Sequence, residues 1–229
     1  MFEELPESNS GEYCCGISLN LYDSPTCEGL ATQAAPSRHL RVLSQEVSQA
    51  LQVCLCEDGY TAWLRVEDLA HLERIDRVYQ AIALSRTEIQ SRIPEVIAFT
   101  KSAMVQPNYY LWGGTVGPNY DCSGLIQAAF AASGIWLPRD SYQQAAFTQK
   151  IEIEELLPGD LVFFGTPEKV NHVGLYLGDG YYIHSSGKEK GRNGIGIDLL
   201  SADGDEVGKL YYQQFKIAGR VATNYQGFR

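Results

Sequence analysis

The stretch from Asn171 to Ser186 reads Asn-His-Val-Gly-Leu-Tyr-Leu-Gly-Asp-Gly-Tyr-Tyr-Ile-His-Ser-Ser. Two mostly apolar runs flank Gly178-Asp-Gly180, and glycines between such runs favour a tight turn. The stretch therefore predicts two antiparallel strands, one beginning at His172 and the other carrying His184. Because the two histidines have equal parity about the turn, we expect them close together on one face of the sheet.

A helix is predicted upstream of this hairpin, from Cys122 to about Ser133. Asp121 is suited to cap its first turn, and Gly134 stands where a left-handed residue ends a helix. Four apolar residues at helical spacing predict its buried stripe: Leu125, Ile126, Ala129 and Phe130. Strands are predicted after it, at residues 161–164, 172–177, 181–185 and 216–221. A helical lobe followed by an antiparallel sheet indicates an α+β domain.

Cys122 and the two histidines are candidates for nucleophilic catalysis. A helix N-terminus presents free N–H groups and partial positive charge, which predicts a lowered thiol pKa at Cys122. His172 would take the thiol proton, and a polar neighbour such as His184 would orient its ring. From the residues alone a structural reading stays open, because cysteines are often buried as small apolar side chains.

The first seventy residues have a different pattern, with short runs of alternating apolar and polar residues from residue 13 to about residue 70. Asp58-Gly59 lies between two such runs and predicts a hairpin turn. Short strands at this spacing predict a small antiparallel barrel. Between residues 71 and 105 the apolar residues recur at helical spacing, with a possible capping box at Ser85 and Glu88. Pro94 either kinks this helix or begins a second one.

Composition excludes several kinds of partner. The 229 residues carry a net charge of -10 without a dense Lys/Arg run, which argues against nucleic acid. No apolar run approaches the roughly 20 residues that span a bilayer, so no membrane partner is expected. The N-terminus has neither the basic start nor the apolar stretch of a signal peptide, which predicts a cytoplasmic protein. The other five cysteines lack zinc-ligand spacing and are predicted to be free structural thiols.

Motifs around these candidate residues occur together and in a fixed order. The sequence resembles the NlpC-type cell-wall cysteine peptidases, which are papain-like enzymes of bacteria. The resemblance covers about residues 94–222. The matching motifs are Tyr110-Leu-Trp-Gly-Gly114, Tyr120-Asp-Cys-Ser-Gly124, Leu137-Pro-Arg-Asp-Ser141, Leu157-Pro-Gly-Asp-Leu-Val-Phe-Phe164, Asn171-His-Val-Gly174 and Tyr182-Ile-His184.

The resemblance implies Cys122 as nucleophile, His172 as general base and His184 as the orienting third residue. It also implies substrate contacts from Tyr110, Asp121, Ser123 and Ser141. Structural alternatives stay open for three of these: Asp121 as only a helix cap, Ser141 as only the cap of the next helix, and Tyr110 as packing. Neither a cofactor nor a metal ion is expected.

The first region resembles the bacterial SH3-like domains that accompany this peptidase domain. More narrowly, the arrangement resembles two-domain γ-D-glutamyl-L-diamino acid endopeptidases of cyanobacterial type. In these a tyrosine of the small domain helps to read a free N-terminal L-alanine, and Tyr60 is the best match. Trp63 is the competitor, but we expect it to fill the barrel core. The predicted domains are an SH3-like β-barrel at 1–75, a linker at 76–93 and a papain-like domain at 94–229.

The implied function is hydrolysis of the γ-D-glutamyl–diamino acid bond in murein peptides that have a free N-terminal L-Ala. Asp121 would pair with the free ammonium, and recycling of imported wall peptides is the expected role. The small murein peptide is the only partner implied, and no protein partner is expected. Two alternatives stay open: a papain-like acyltransferase or amidase acting on another amide or ester, and a non-catalytic module that binds cell-wall peptide.

Overall fold

A computed structural model describes residues 11–43, 49–76 and 78–227 of the chain. It divides into two compact units, Met1–Gln80 with Gly227–Arg229, and Ala81–Gln226. The domain boundaries expected from the sequence, at residues 75 and 94, stay a prediction. Within the described ranges, no helix has both the length and the apolar character needed to cross a membrane.

The first unit is an antiparallel sheet of short strands. In the described part of the unit seven strands are paired in the order β3-β2-β6-β5-β4-β1-β7, and a 3-10 helix at Val66–His71 precedes the last of them. The strands are β1 (Glu12–Cys15), β2 (Leu19–Tyr22), β3 (Leu30–Ala34), β4 (His39–Val42), β5 (Ala50–Leu55), β6 (Thr61–Arg65) and β7 (Leu72–Ile75). Period-two burial along β5 and β6 supplies much of the apolar core.

Several expectations for this unit can be checked in the structure. The hairpin at Asp58-Gly59 is confirmed, because β5 and β6 pair antiparallel across it and Gly59 has a φ of 69°. The prediction that Trp63 fills the barrel core is wrong. Ala62 and Leu64 are the buried residues of β6, so Trp63, which lies between them, faces outward.

The second unit combines helices with one antiparallel sheet. Its helices are α1 (Arg86–Met104), α2 (Cys122–Ala132), α3 (Ser141–Phe147) and α4 (Glu206–Tyr212), with 3-10 turns at Ile153–Glu155 and Lys188–Lys190. Its strands are β8 (Gln149–Ile151), β9 (Leu161–Gly165), β10 (Val170–Gly178), β11 (Tyr181–Ser186), β12 (Gly194–Leu199) and β13 (Phe215–Arg220). Their order in the sheet is β12-β11-β10-β9-β13-β8, so the unit has the predicted α+β architecture.

Local sequence signals explain where these helices begin and end. Ser85 and Glu88 form the predicted capping box at the start of α1, and this single helix continues through Pro94. The predicted stripe of α2 is confirmed, since all four of its residues are buried, and Ile126, Ala129 and Phe130 share a core cluster with strands of the sheet. Gly134 follows α2 with a φ of 71°, a conformation that glycine adopts without steric cost. Helix α2 is thereby fixed with its first turn beside β10.

Candidate active site

The first turn of α2 is anchored to the loop that precedes it. Asp121 is the N-cap, and its carboxylate accepts a hydrogen bond from the backbone N–H of Gly124 at 2.7 Å. Its own N–H donates to the carbonyl oxygen of Gly114 at 3.1 Å. A Cβ atom on Gly124 would lie 2.0 Å from that carbonyl oxygen, so this approach requires glycine. These backbone contacts fix the position of Cys122, the first residue of the helix.

The Cys122 side chain is buried, with 5% of the residue exposed. Burial, reinforced by the charge of Asp121, raises the pKa of its thiol to about 12. Hydrogen bonds from the backbone N–H groups of Ser123 and Val173 act in the opposite direction but are outweighed. The predicted lowering of the thiol pKa at the helix N-terminus is therefore wrong, because the loss of solvation exceeds it. The thiol is neutral until a base removes its proton.

His172 on β10 and His184 on β11 are in direct contact. Nε2 of His172 lies 2.7 Å from Nδ1 of His184. The strands pair with Leu175 opposite Ile183, which makes the two histidines diagonal neighbours on one face. The proximity predicted from their equal parity about the turn is confirmed. The backbone N–H of Val173 donates a hydrogen bond to the Cys122 sulfur. The strand that carries His172 therefore also lies against the thiol.

The His172 ring is held in one orientation by its surroundings. Tyr211 stacks on it with ring centroids 4.3 Å apart and an interplanar angle of 24°. The hydroxyl group of Tyr211 in turn shares a 2.8 Å hydrogen bond with Ser186. Burial, followed by the nearness of the second imidazole, His184, and of Lys190, places the pKa of His172 well below its ordinary value. His172 is therefore neutral at physiological pH, and Nδ1 is the ring nitrogen not engaged by His184.

The hydrogen-bonded chain continues to residues that the sequence reasoning missed. Nε2 of His184 lies 2.6 Å from Oδ2 of Asp198, and Arg192 bonds to Oδ1 of the same carboxylate. Asp198 lies on β12, which pairs with β11. A signal for this strand was present, because residues 194–199 alternate small or polar residues with Ile195, Ile197 and Leu199.

Asp121 is engaged by a buried arginine as well as by the helix. Arg139 lies 2.6 Å from Oδ2 of Asp121, and the backbone N–H of Gly113 donates to the same oxygen at 2.9 Å. Arg139 also donates to the hydroxyl group of Ser123 at 3.0 Å, which places Ser123 in the same buried cluster. Asp121 therefore caps the helix and is also paired with Arg139. Substrate contacts from Asp121 and Ser123 stay a prediction.

Tyr110 lies close to the nucleophile candidate. Its backbone forms an isolated parallel bridge with Tyr120. Burial, followed by the charges of Cys122 and Asp121, raises the pKa of its phenol. The hydroxyl group of Tyr110 therefore stays protonated and is available as a hydrogen-bond donor.

The two other predicted substrate residues lie on different elements. Ser141 is buried and is the first residue of α3, whose N-cap is Asp140. The cap alternative for Ser141 is therefore wrong, because the preceding residue fills that position. Tyr60 belongs to the first unit, where it is half-buried and packs against the apolar core. Its contact with substrate stays a prediction.

A buried cysteine at a helix start, beside a strand of an antiparallel sheet that carries histidine, defines a papain-like site. Residues 107–213 match the NlpC/P60 family, and residues 21–69 match the bacterial dipeptidyl-peptidase SH3 domain. The second unit of the chain therefore belongs to the NlpC/P60 family, and the first carries a bacterial dipeptidyl-peptidase SH3 domain.

Individual relatives extend this similarity. A γ-D-glutamyl-L-lysine dipeptidyl-peptidase of Bacillus cereus is 31% identical over 175 residues, which are 74% of this chain and 48% of that protein. The enzyme of the same name from Bacillus subtilis is 38% identical over 95 residues, covering 40% of this chain and 30% of its own length. The chain thus spans less than half of either relative. A crystal structure of an NlpC/P60 family protein from Bacillus cereus covers 93% of this chain and 64% of its own, with a TM-score of 0.51 and 26% identity.

Proposed function

We propose that this protein is a cysteine endopeptidase that cleaves the γ-D-glutamyl–diamino acid bond of small murein peptides with a free N-terminal L-Ala. The observation that carries the proposal is the buried arrangement of Cys122 beside the strand of His172, with His184 bonded to His172 at 2.7 Å. The names of the two Bacillus relatives support the bond and the substrate class.

The first half of the reaction forms a thioester. His172 accepts the Cys122 thiol proton at Nδ1 while the sulfur bonds to the γ-carbonyl carbon and the π electrons move to the carbonyl oxygen. The tetrahedral intermediate then re-forms the carbonyl group and breaks the carbon–nitrogen bond. The leaving amine of the diamino acid takes the proton from Nδ1 of His172.

The second half restores the free enzyme. His172 accepts a proton from water at Nδ1 as the water oxygen bonds to the thioester carbon. Collapse of this second intermediate breaks the carbon–sulfur bond and releases the γ-carboxyl group. The sulfur recovers its proton from His172, and both groups return to the neutral forms that their buried positions favour.

Negative charge on the carbonyl oxygen requires hydrogen-bond donors. The N-terminus of α2 presents backbone N–H groups, and Tyr110 offers a hydroxyl group that stays protonated because burial raises its pKa. We assign stabilisation of the oxyanion to these donors. Replacement of Tyr110 by Phe should lower kcat more than it changes KM, because the bond to oxygen strengthens as charge develops.

Selectivity for a free N-terminus is the finer part of the proposal, and we assign it to Tyr60, Asp121, Ser123 and Ser141. An alanine with a free ammonium group is no longer joined to the glycan through its nitrogen, as in a peptide released from the wall. We therefore infer a role in recycling such peptides in the cytoplasm.

The test compares three peptides with the full-length protein: L-Ala-γ-D-Glu-L-Lys, its N-acetyl form and its α-linked isomer. We expect release of L-Ala-D-Glu and L-Lys from the first peptide alone, measured by mass spectrometry. Equal cleavage of the acetylated peptide would show that the protein does not select for a free N-terminus. Binding without turnover would favour a wall-binding module, and turnover of an acyl-thioester in place of the peptide would favour an acyltransferase.

Tyr60 has its own matched test. Tyr60→Phe should raise KM for the free peptide while kcat stays close to the original value, because the lost hydroxyl contact affects binding rather than chemistry. Trp63→Phe is the control, since Trp63 is an aromatic residue three positions further along the chain, in β6, that we do not assign to substrate. An unchanged KM in Tyr60→Phe would exclude Tyr60 from substrate recognition.

A further inference from the structure

The histidine pair is one part of a longer chain of hydrogen bonds. His184 joins Nδ1 to His172 at 2.7 Å and Nε2 to Asp198 at 2.6 Å. The second carboxylate oxygen of Asp198 bonds to Arg192, which also lies 3.7 Å from Asp205. His184 is fully buried and Asp198 is 3% exposed, so water does not compete for these positions.

The position of each proton in this series of hydrogen bonds can be assigned by starting at Arg192 and proceeding to His172. Arg192 is always a donor, so Asp198 accepts at Oδ1. Asp198 is ionised, because its hydrogen bonds to His184 and Arg192, together with the charge of Arg192, overcome burial and lower the pKa of its carboxyl. Its Oδ2 therefore accepts a proton from Nε2 of His184.

The remaining assignments follow because a neutral imidazole has one N–H group. Burial lowers the pKa of His184 despite the opposing effect of Asp198, so the ring is neutral and its Nδ1 is an acceptor. Nε2 of His172 must then donate to this nitrogen. Neutral His172 consequently has no proton on Nδ1, which is the nitrogen required for accepting the thiol proton.

We propose that Asp198, held in place by Arg192, is a positioning residue that fixes the base-competent tautomer of His172 through His184. This inference rests on the proposed cysteine peptidase reaction and adds two residues that act through His184. The fold accommodates Arg192 by placing Gly196 opposite His184 in the β11–β12 pairing. A Cβ atom on Gly196 would lie 2.5 Å from Nη1 of Arg192, so the arginine occupies the space that a side chain would fill.

Asp198→Asn tests the proposal with almost no change of shape. Arg192 requires the amide oxygen of the asparagine, so the amide NH₂ group turns toward His184. His184 then accepts at Nε2 and carries its proton on Nδ1, which moves the proton of His172 to Nδ1. The base is blocked, and kcat should fall about ten-thousand-fold, as it does for the equivalent change in a Ser-His-Asp triad.

The double variant Asp198→Asn/Arg192→Leu separates a tautomer effect from structural damage. Without Arg192 the asparagine oxygen is free to face His184 and restore the original tautomer. We expect the double variant to recover at least about tenfold in kcat over Asp198→Asn, because the correct tautomer again reaches the thiol. Arg192→Leu alone is the matched control, because it measures the effect of losing the arginine while Asp198 is kept. A double variant no more active than Asp198→Asn would contradict the proposal.

Nitrogen NMR of the full-length protein labelled with ¹⁵N-histidine reads the tautomer without turnover. The chain has four histidines, and His172→Gln and His184→Gln assign the two signals of interest. The unsubstituted protein should show His172 protonated at Nε2, and Asp198→Asn should show it protonated at Nδ1. His172 protonated at Nδ1 in the unsubstituted protein would overturn the inference, even if Asp198→Asn fails to fold.

The same two measurements distinguish this inference from the proposed function. If His172 is protonated at Nε2 but the protein cleaves none of the peptides, the assigned hydrogen bonds stand and the proposed reaction is wrong. Peptide cleavage that survives Asp198→Asn with less than a tenfold loss would keep the reaction and reject the role of Asp198.

Discussion

At the scale of single residues, Cys122 and His172 both favour the uncharged form, and they do so for one reason. Each is buried, and burial penalises a charge on either side chain. A neutral thiol needs a base at the moment of attack, whereas a resting thiolate would not. The site is therefore suited to proton transfer that is coupled to the approach of a carbonyl group.

Substitution of Cys122 tests the nucleophile. Cys122→Ala should lower kcat by more than about a thousandfold, since covalent catalysis is lost, while peptide binding measured by calorimetry persists. Cys54→Ser is the matched control, because this half-buried free thiol lies in the first unit. Turnover retained in Cys122→Ala would show that another group attacks the peptide.

The pH dependence of kcat/KM tests the base. Protonated His172 cannot accept the thiol proton, so activity should fall as the pH drops through the pKa of His172. Burial places this pKa well below the ordinary 6.5, and the midpoint of the acidic limb should therefore lie below pH 6.5. A profile from pH 4 to 8 with a midpoint at or above 6.5 would mean that His172 is not the neutral base.

At the scale of elements, the site depends on how closely backbones approach one another. Gly124 lets the first turn of α2 meet the carbonyl group of Gly114, and Gly174 leaves room beside His184. On β10 a Cβ atom at position 174 would lie 2.6 Å from the Tyr182 ring. The absence of side chains at these positions allows helix, loop and strands to position the nucleophile and base.

Gly124→Ala should disrupt this junction. The new methyl group would lie 2.0 Å from the Gly114 oxygen, so the helix start and the loop must separate. We expect the free energy of unfolding to fall by about 1–3 kcal/mol, as is usual for overpacking, with a loss of activity. Denaturant titration measures the first effect. Gly11→Ala, whose added Cβ has no contact closer than 3.5 Å, is the control and should change little.

The elements found from sequence and those missed differ in the strength of their local signal. Helix α2 and the β10–β11 hairpin have a cap, a regular stripe and a glycine turn, and all were predicted. Helix α4 was not predicted, because its seven residues are too few for a clear period. Asp198 and Arg139 were missed because their importance comes from tertiary contacts with His184 and Asp121, which no local pattern encodes.

At the scale of the whole molecule, the two units have cores of different kinds. The first has a sheet core formed by alternating residues, and the second places helix α2 against the central strands of its own sheet. Sequence patterning predicted both architectures because each has one regular buried face. Periodicity does not describe where one unit ends or what Tyr60 does, so these two points stay predictions.

Acid stability should depend on the second unit, because His172 and His184 are buried and neutral in the folded protein. Their folded pKa values lie below the unfolded value near 6.5, so the unfolded chain binds more protons once the pH falls below that value. Stability is therefore complete above pH 6.5 and decreases below it, by up to about 1.4 kcal/mol per pH unit for each histidine until its folded pKa is reached.

Denaturant unfolding between pH 5 and 8 measures this loss, and His172→Gln removes one of the two titrating groups. The variant should show a shallower decrease of unfolding free energy below pH 6.5 than the unsubstituted protein, whatever its stability at pH 8. His71→Gln is the control, since His71 lies on the first unit and is exposed. Parallel pH profiles for His172→Gln and the unsubstituted protein would show that the folded state does not hold His172 neutral, and the proton-transfer chemistry would then need a different base.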